Sequence, residues 1–299
     1  MAVSSIPLLY NPRARHGAAA HRIKGVIAAF ADCGVVVTAI PSTAGGDIER
    51  KARELSDQGA PRLLLGGGDG SVHEAVNGLM RSKTPAALGL IPLGTGNDFA
   101  KANGIPLQPA DAVAELAVRL ASDAAPRVID VGRLNERYFA NGAGIGFDAK
   151  ISAIASSIQL PIGVLVYPAA VVRGLVDGVV TPRMKMQFDG RELDAQLTLA
   201  SFNIGQWVGG MFRIAPMARN DDGMLDLVYV DQLTRRQIVP LVPKLLRGTH
   251  MSDARVHHEL IAHCRIEAEA KVPAHLDGEN QAPQRHFDIG IVAGALRLL

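Results

Sequence analysis

Along the first 130 positions the apolar residues follow two alternating rhythms. Ser4–Tyr10, Val35–Ile40, Leu63–Leu65 and Leu88–Leu93 are short, nearly continuous apolar runs, the pattern of strands buried on both faces. Between them apolar side chains recur at helical spacing: Ile23, Val26, Ile27 and Phe30; Ile48, Ala52 and Leu55; Val72, Ala75, Val76 and Leu79; Val113, Leu116, Ala117 and Leu120. Gly34 and Gly59 stand where the first two helices should stop. This alternation predicts a parallel sheet with helices on both faces. Ligands in such sheets bind beyond the carboxyl ends of the strands. Asn11, Thr43, Gly67–Ser71 and Gly94–Asn97 each follow a predicted strand, so four loops are expected to converge on one crevice.

After about Ile129 the rhythm changes. Met184, Met186 and Phe188 alternate with polar residues up to Asp189-Gly190, a two-residue hairpin signal, and Leu197 and Leu199 continue the alternation. Leu225–Val230 reads as a strand, Thr234 to Gln237 as a capping box that opens a helix, and Arg265–Val272 as a half-buried strand. The expected second half is β-rich and sandwich-like, with an apolar helical insertion near 151–179. The division predicted is 1–130 and 131–299, with the last residues able to pack back on the first domain. Ile151–Val172 is uncharged and long enough to cross a bilayer, but Ser152, Ser156, Ser157, Gln159, Pro161, Gly163 and Pro168 interrupt it. A buried or lipid-facing segment is the expectation.

The most informative chemistry lies in Gly66-Gly67-Gly68-Asp69-Gly70-Ser71, between a predicted strand and a predicted helix. Glycines let an anion approach the main chain, and a helix start presents N–H groups and a positive dipole to it. Asp69 suits a phosphate neighbour only with a divalent cation between them, which points to a metal-bound nucleotide. Ser71 and Glu74 have capping-box spacing. No Lys follows the glycines and no G-x-G-x-x-G is present, so neither a Walker A loop nor a dinucleotide fingerprint fits. With 31 basic against 29 acidic residues, one Trp and four Tyr, nothing favours nucleic acid. Cys33 and Cys264 are isolated and the nine histidines lack ligand spacing, which argues against a disulfide framework and against zinc. No basic region precedes an apolar stretch at the amino terminus, so reduced thiols in the cytoplasm are expected.

Gly-Gly-Asp-Gly-Ser followed by His73-Glu74-Ala75-Val76-Asn77-Gly78-Leu79 resembles the phosphate-binding signature shared by diacylglycerol kinases, NAD kinases and phosphofructokinases, and its longer form resembles the lipid-kinase branch. Gly94-Thr95-Gly96-Asn97-Asp98 is similar to a second loop of that branch, Asn11-Pro12 to the turn closing its first strand, and Pro41-Ser42-Thr43 to its nucleotide threonine. Ala215–Leu227 resembles its Asp-Gly-x-Leu-Asp-Leu segment and Asp277-Gly278-Glu279 its catalytic turn. The four ordered motifs span nearly the whole chain.

The resemblance implies a diacylglycerol kinase-like α/β domain, a sandwich-like domain, and an active-site cleft between them. It implies ATP-dependent phosphorylation of a lipid hydroxyl, with Mg²⁺, at the inner membrane surface. Asn11, Thr43, Gly67, Gly68, Asp69, Gly70, Ser71, Gly94, Thr95, Gly96 and Asn97 would contact the nucleotide. Glu279 is implied as general base, with Asp277 orienting it or sharing a metal; the sphingosine-kinase pattern places the base at Asp69 instead, so both stay open. Asp222 and the main-chain oxygens of Arg219 and Met224 would hold a structural Mg²⁺, joined directly or through water by Asp130. Asn141–Asp148, with glycines at 142, 144 and 146, is similar to a junction of close backbone packing. The competing readings are a related kinase of NAD or a sugar phosphate, and a protein that binds lipid or nucleotide without turnover. No residue distinguishes diacylglycerol from other lipid acceptors, and a homodimer is compatible with the family.

Overall fold

A computed structural model describes residues 5–13, 18–122, 124–158 and 165–299. Ser4 of the predicted first strand, and Gln159, Pro161 and Gly163 of the uncharged stretch, lie outside the described residues. The chain divides into two units, one made of residues 1–129 with 294–299 and the other of residues 130–293.

In the first unit, β1 (Ile6–Tyr10), α1 (Ala18–Asp32), β2 (Val37–Pro41), α2 (Asp47–Asp57), β3 (Arg62–Gly67), α3 (Asp69–Met80), β4 (Ala87–Pro92), α4 (Asp98–Ala102) and α5 (Pro109–Ala121) follow in order. The strands run parallel in the order β2-β1-β3-β4, and Leu298 near the carboxyl terminus pairs in parallel with Leu88 beyond β4. The helical stripes bury as their spacing requires: Ile23, Val26 and Phe30 of α1 join Val113, Leu116 and Leu120 of α5 on one core with Leu8, Leu64 and Ile91. The run at Val35–Ile40 reads as a strand buried on both faces, but among the described residues β2 pairs only with β1, and Val36 is 50% exposed. An edge position leaves its β-branched residues half in water.

The second unit begins within β5 (Arg127–Leu134), followed by β6 (Arg137–Phe139), β7 (Gly142–Gly146), α6 (Phe147–Ser157), α7 (Val166–Asp177), β8 (Arg183–Phe188), β9 (Arg191–Asn203) and β10 (Leu225–Asp231). Then come α8 (Arg235–Ile238), α9 (Leu241–Arg247), β11 (Val256–Ile261), β12 (His263–Leu276) and β13 (Glu279–Leu298), whose last residues belong to the first unit. The ladders linking β7 to β12 are antiparallel. Strands β9 and β12 are long enough to serve twice: one end of each pairs with β8 and the other with β7. The two layers so formed enclose a core that includes Met184, Met186, Phe202, Leu276 and Phe287, a sandwich-like arrangement. Asp189-Gly190 makes the β8–β9 hairpin with both residues at positive φ, 45° and 78°. The Thr234–Gln237 capping box opens α8. The described part of the apolar insertion forms α6 and α7, and among the described residues no helix is long and apolar enough to cross a membrane.

Candidate active site

At the carboxyl ends of the parallel strands two loops are fitted against each other. A Cβ on Gly68 would lie 2.8 Å from the Gly94 Cα, so only paired glycines let the loops after β3 and β4 touch. Leu93 N–H donates to the Gly67 carbonyl (2.8 Å), and the Asn97 side chain bonds both the Gly94 amide (3.0 Å) and its carbonyl (3.1 Å). Asp69 joins the same pair of loops: its carboxylate accepts the Phe99 amide of α4 at 3.1 Å. Helix α3 begins at Asp69, with Gly68 as an extended N-cap and no side-chain cap, and its first intrahelical bond runs from Val72 to Gly68. The amides of Asp69, Gly70 and Ser71 therefore belong to the open, positive end of a twelve-residue helix.

Ser71 and Glu74 do not form the expected capping box. The helix starts two residues before Ser71, and the Glu74 carboxylate instead accepts the Ile48 amide at 3.0 Å, near the start of the adjacent helix α2. After β1, the Asn11 side chain accepts the Arg13 amide (2.9 Å) and the Asn11 main-chain amide donates to the Gly66 carbonyl (3.2 Å). The Thr43 amide and hydroxyl both donate to Asp47, at 2.9 and 3.1 Å. Lys51 first, then the Thr43 amide and Arg50, hold the Asp47 carboxyl well below the usual carboxylate range against the effect of its burial. Thr95 and Gly96 sit between the two anchored ends of the second loop. All the nucleotide candidates thus lie at one end of one sheet.

In the second unit, Asp277 and Gly278 form the two-residue turn between β12 and β13, with φ of 52° and 87°. The two acids of this motif have different surroundings. The Asp277 carboxylate accepts three successive amides, from Ala140 (3.0 Å), Asn141 (2.8 Å) and Gly142 (3.1 Å). Glu279 is exposed, and its carboxylate has no hydrogen-bond or ion-pair partner among the described residues. Ser152 of α6 donates to the Gly278 carbonyl (2.9 Å) and Ser156 accepts from Asn280 (3.1 Å), which anchors the turn to that helix.

Beneath the turn lies a pair that the motifs did not reveal. Buried His275 faces Asp148 with Nε2 3.1 Å from Oδ2, too poorly aligned for a hydrogen bond, and neither atom has one elsewhere among the described residues. His275 Nδ1 accepts the Gly278 amide at 3.2 Å, which leaves the ring proton on the Nε2 facing Asp148. Gly144 pairs with His275 across the β7–β12 ladder, and a Cβ there would overlap both members of the pair. The signal was the alternation Gly142, Gly144, Gly146, Asp148, which keeps one strand face bare up to the acid.

Farther along the same unit, the loop before β10 is held by Asp130, whose carboxylate accepts the Gly223 amide (2.7 Å) and whose amide donates to the Asn220 carbonyl (2.7 Å). Asp222 accepts the Met224 amide at 3.1 Å. Asp226 is buried, which pushes its carboxyl up despite its bond to His258 (2.6 Å), and the nearby Asp222 charge adds to the rise. No three acidic, histidine or cysteine side chains converge as a metal site among the described residues. An ion in this loop would rest on single carboxylates, carbonyls and water, an oxygen set that suits a hard cation and relieves the crowding of Asp222 and Asp226.

The unit also holds an apolar cavity of about 120 Å³, walled by Phe147, Ile151, Val171, Phe212, Leu241 and Leu245 among others. Asp148 and His250 are polar groups on its wall. His250 Nε2 meets the Ile214 carbonyl at 3.0 Å, Nδ1 has no hydrogen-bond partner among the described residues, and burial pushes the ring's pKa down.

Residues 5–134 match the model of the diacylglycerol kinase catalytic domain, and residues 142–299 that of the YegS C-terminal NAD kinase beta sandwich-like domain. The chain belongs to the bacterial diacylglycerol and lipid kinase family. A family member from Chromohalobacter salexigens, named a probable lipid kinase YegS-like protein, is 35% identical over 260 residues, covering 85% of this chain and 80% of the relative. The diacylglycerol kinase of Mycobacterium tuberculosis is 30% identical over 303 residues, covering 99% of this chain and 95% of the relative. A crystal structure of a diacylglycerol kinase from Bacillus anthracis shares the family's fold with a TM-score of 0.74 at 22% identity, covering 100% of this chain and 97% of that one.

Proposed function

We propose that this kinase transfers the γ-phosphoryl group of ATP to the hydroxyl of diacylglycerol or a similar lipid. The observation that carries the reading is the pair of glycine loops locked together at the start of α3, because such an arrangement offers main-chain amides to a polyphosphate. Asn11, Thr43 and Gly94–Asn97 flank that helix start at the same end of the sheet. The apolar cavity of the second unit supports an acyl-bearing acceptor over a dinucleotide or a sugar phosphate. Relatives named diacylglycerol kinase and lipid kinase support the same class.

In this reading the lipid oxygen bonds to the γ-phosphorus as the bond to the bridging oxygen breaks, and ADP leaves. The helix start and loop amides stabilise the charge on the phosphate oxygens. Mg²⁺, when bound, supplies further neutralisation of that charge. Asp69 stands among the phosphate loops where a cation would mediate, and Asp130, Asp222 and the carbonyls of Arg219 and Met224 would hold a second, structural ion. We assign the hydroxyl proton to Glu279, whose carboxylate is exposed and unengaged, whereas the Asp69 carboxylate already accepts the Phe99 amide. Asp277 shapes the turn that carries Glu279.

The test is a panel of diacylglycerol, a sphingoid base, phosphatidylglycerol and a prenol in mixed micelles with γ-labelled ATP and Mg²⁺. Label should enter one of the lipids, and Asp69→Asn, which keeps an oxygen for the Phe99 amide, should lower transfer by at least about a hundredfold without unfolding the chain. Transfer to NAD or a sugar phosphate instead, or full turnover by the variant, refutes the reading.

A further inference from the structure

The main chain that carries Glu279 is gripped from below by buried groups. The peptide unit before Gly278 donates its N–H to His275 Nδ1 (3.2 Å), and the unit after it accepts the Ser152 hydroxyl through the Gly278 carbonyl (2.9 Å). Glu279 follows that carbonyl directly, so the two bonds fix the peptide planes from which its side chain departs. Gly278 stands at a φ of 87°, and a glycine has little torsional preference of its own. The direction of Glu279 therefore depends on what holds these peptides.

An imidazole accepts an N–H at Nδ1 only in the neutral tautomer that carries its proton on Nε2. What stands at the other nitrogen selects that tautomer. Asp148 Oδ2 lies 3.1 Å from His275 Nε2, and a carboxylate so close to a buried ring favours an N–H over a lone pair even without hydrogen-bond alignment. Gly144 is kept bare for the pair, since a Cβ there would overlap both Asp148 and His275. Burial works against a charge on the ring, while Asp148 and Asp277 favour one. The Gly278 amide calls for the neutral ring, because a proton on Nδ1 would meet it donor to donor.

We propose that His275 is a positioning residue: held in its Nε2–H tautomer by Asp148, it fixes the Gly278 amide and so aims the Glu279 carboxylate at the lipid hydroxyl. The role rests on the reading in which Glu279 takes that proton. His275 itself touches no substrate. An amide in place of the Asp148 carboxylate would turn its NH₂ to the ring, draw the proton to Nδ1 and push the Gly278 amide away.

The test compares His275→Asn with His275→Gln in phosphoryl transfer to lipid. Asn carries its amide oxygen where Nδ1 stood and can accept from Gly278, whereas Gln reaches toward Asp148 and leaves Gly278 without an acceptor. Both delete the imidazole, so a packing role alone predicts equal kcat in the two at temperatures below their melts. His275→Asn should stay within about threefold of the wild type, while His275→Gln and Asp148→Asn lose about ten- to a hundredfold in kcat with KM little changed, the scale of a misplacement of about 1 Å. Adding Asp148→Asn to His275→Asn should cost no further kcat, because no tautomer is left to select. Nitrogen NMR of the histidine rings, without nucleotide or lipid, should place the proton of His275 on Nε2 in the wild type and on Nδ1 in Asp148→Asn. The signal lost in His275→Asn assigns the ring. Equal kcat in the Asn and Gln variants, a wild-type ring protonated at Nδ1, or an Asp148→Asn loss that is the same in both backgrounds overturns the proposal. Transfer by the wild type with kcat unmoved in every variant overturns this role alone, whereas no lipid labelled by any form refutes the kinase reading and takes the role with it.

Discussion

Replacing Asp277 by Asn separates shape from chemistry at the turn. The substitution suits the backbone, because Asn tolerates the positive φ of 52° found there. One amide oxygen can still accept from Asn141 and Gly142, as Oδ1 does now at 2.8 and 3.1 Å. The new NH₂ replaces the oxygen that accepts the Ala140 amide at 3.0 Å, so two donors face each other. Leaving one amide without an acceptor costs about 1–3 kcal/mol, and losing the charge on the remaining bonds adds to this, for a total of about 2–4 kcal/mol. The site is only half-buried, so about 2 kcal/mol is the better expectation. For a unit of this size that lowers the melting temperature by roughly 4–8 °C. Thermal unfolding followed by circular dichroism measures the shift, and turnover well below the transition measures the chemistry. The expected result is a clear loss of stability with most turnover retained. An unchanged melt with abolished turnover refutes the structural role and returns Asp277 to the reaction.

Glu279→Gln should show the converse. Its carboxylate holds nothing in place, so the melt should not move while kcat falls by about 10²–10⁴ with KM little changed, as steady-state kinetics would reveal; an equal rise in KM would make it a binding group instead. His250 gives a pH prediction. Burial lowers its folded pKa below the ordinary 6.5, so the unfolded chain takes up a proton near that pH that the folded one refuses. Stability is therefore full above about 6.5 and declines as pH falls from there to the folded pKa, by at most about 1.4 kcal/mol per pH unit. Urea unfolding of the wild type and of His250→Gln across this window should show the extra slope only in the wild type. Parallel slopes would mean that His250 is charged in the folded state.

What could be read in advance was whatever lies close together along the chain. The strand and helix rhythms, the Asp189-Gly190 hairpin and the Thr234–Gln237 cap are each set within a dozen residues, and they stand in the structure. The glycine loops were legible for the same reason, since a strand, a turn and a helix start are contiguous there. Glu74 marks the limit of such reading. Its spacing from Ser71 fits a local cap, yet its partner is the Ile48 amide, supplied by another helix. The apolar run at Val35–Ile40 likewise contains nothing to say that its strand would stand at an edge.

The same limit explains why only the family resemblance, and not the residues around the Asp277-Gly278-Glu279 turn, implied Glu279 as base with Asp277 orienting it or sharing a metal. Both carboxylates follow a strand, two positions apart, and nothing beside them in sequence distinguishes their roles. The distinction arrives from Ala140, Asn141 and Gly142, more than a hundred residues earlier, whose amides all turn toward Asp277 and none toward Glu279. That segment runs on into Gly144, whose bare face makes room for His275 and Asp148 under the same turn. A carboxylate that satisfies three main-chain amides is poorly suited to take up and release a proton, because each protonation would leave donors without an acceptor. A carboxylate with no such duty can change its charge at little cost to the fold. If Glu279 is the base, as proposed, the division of labour in the motif is set by its long-range neighbours, and exchanging the two side chains' environments, rather than their identities, should move the catalytic role.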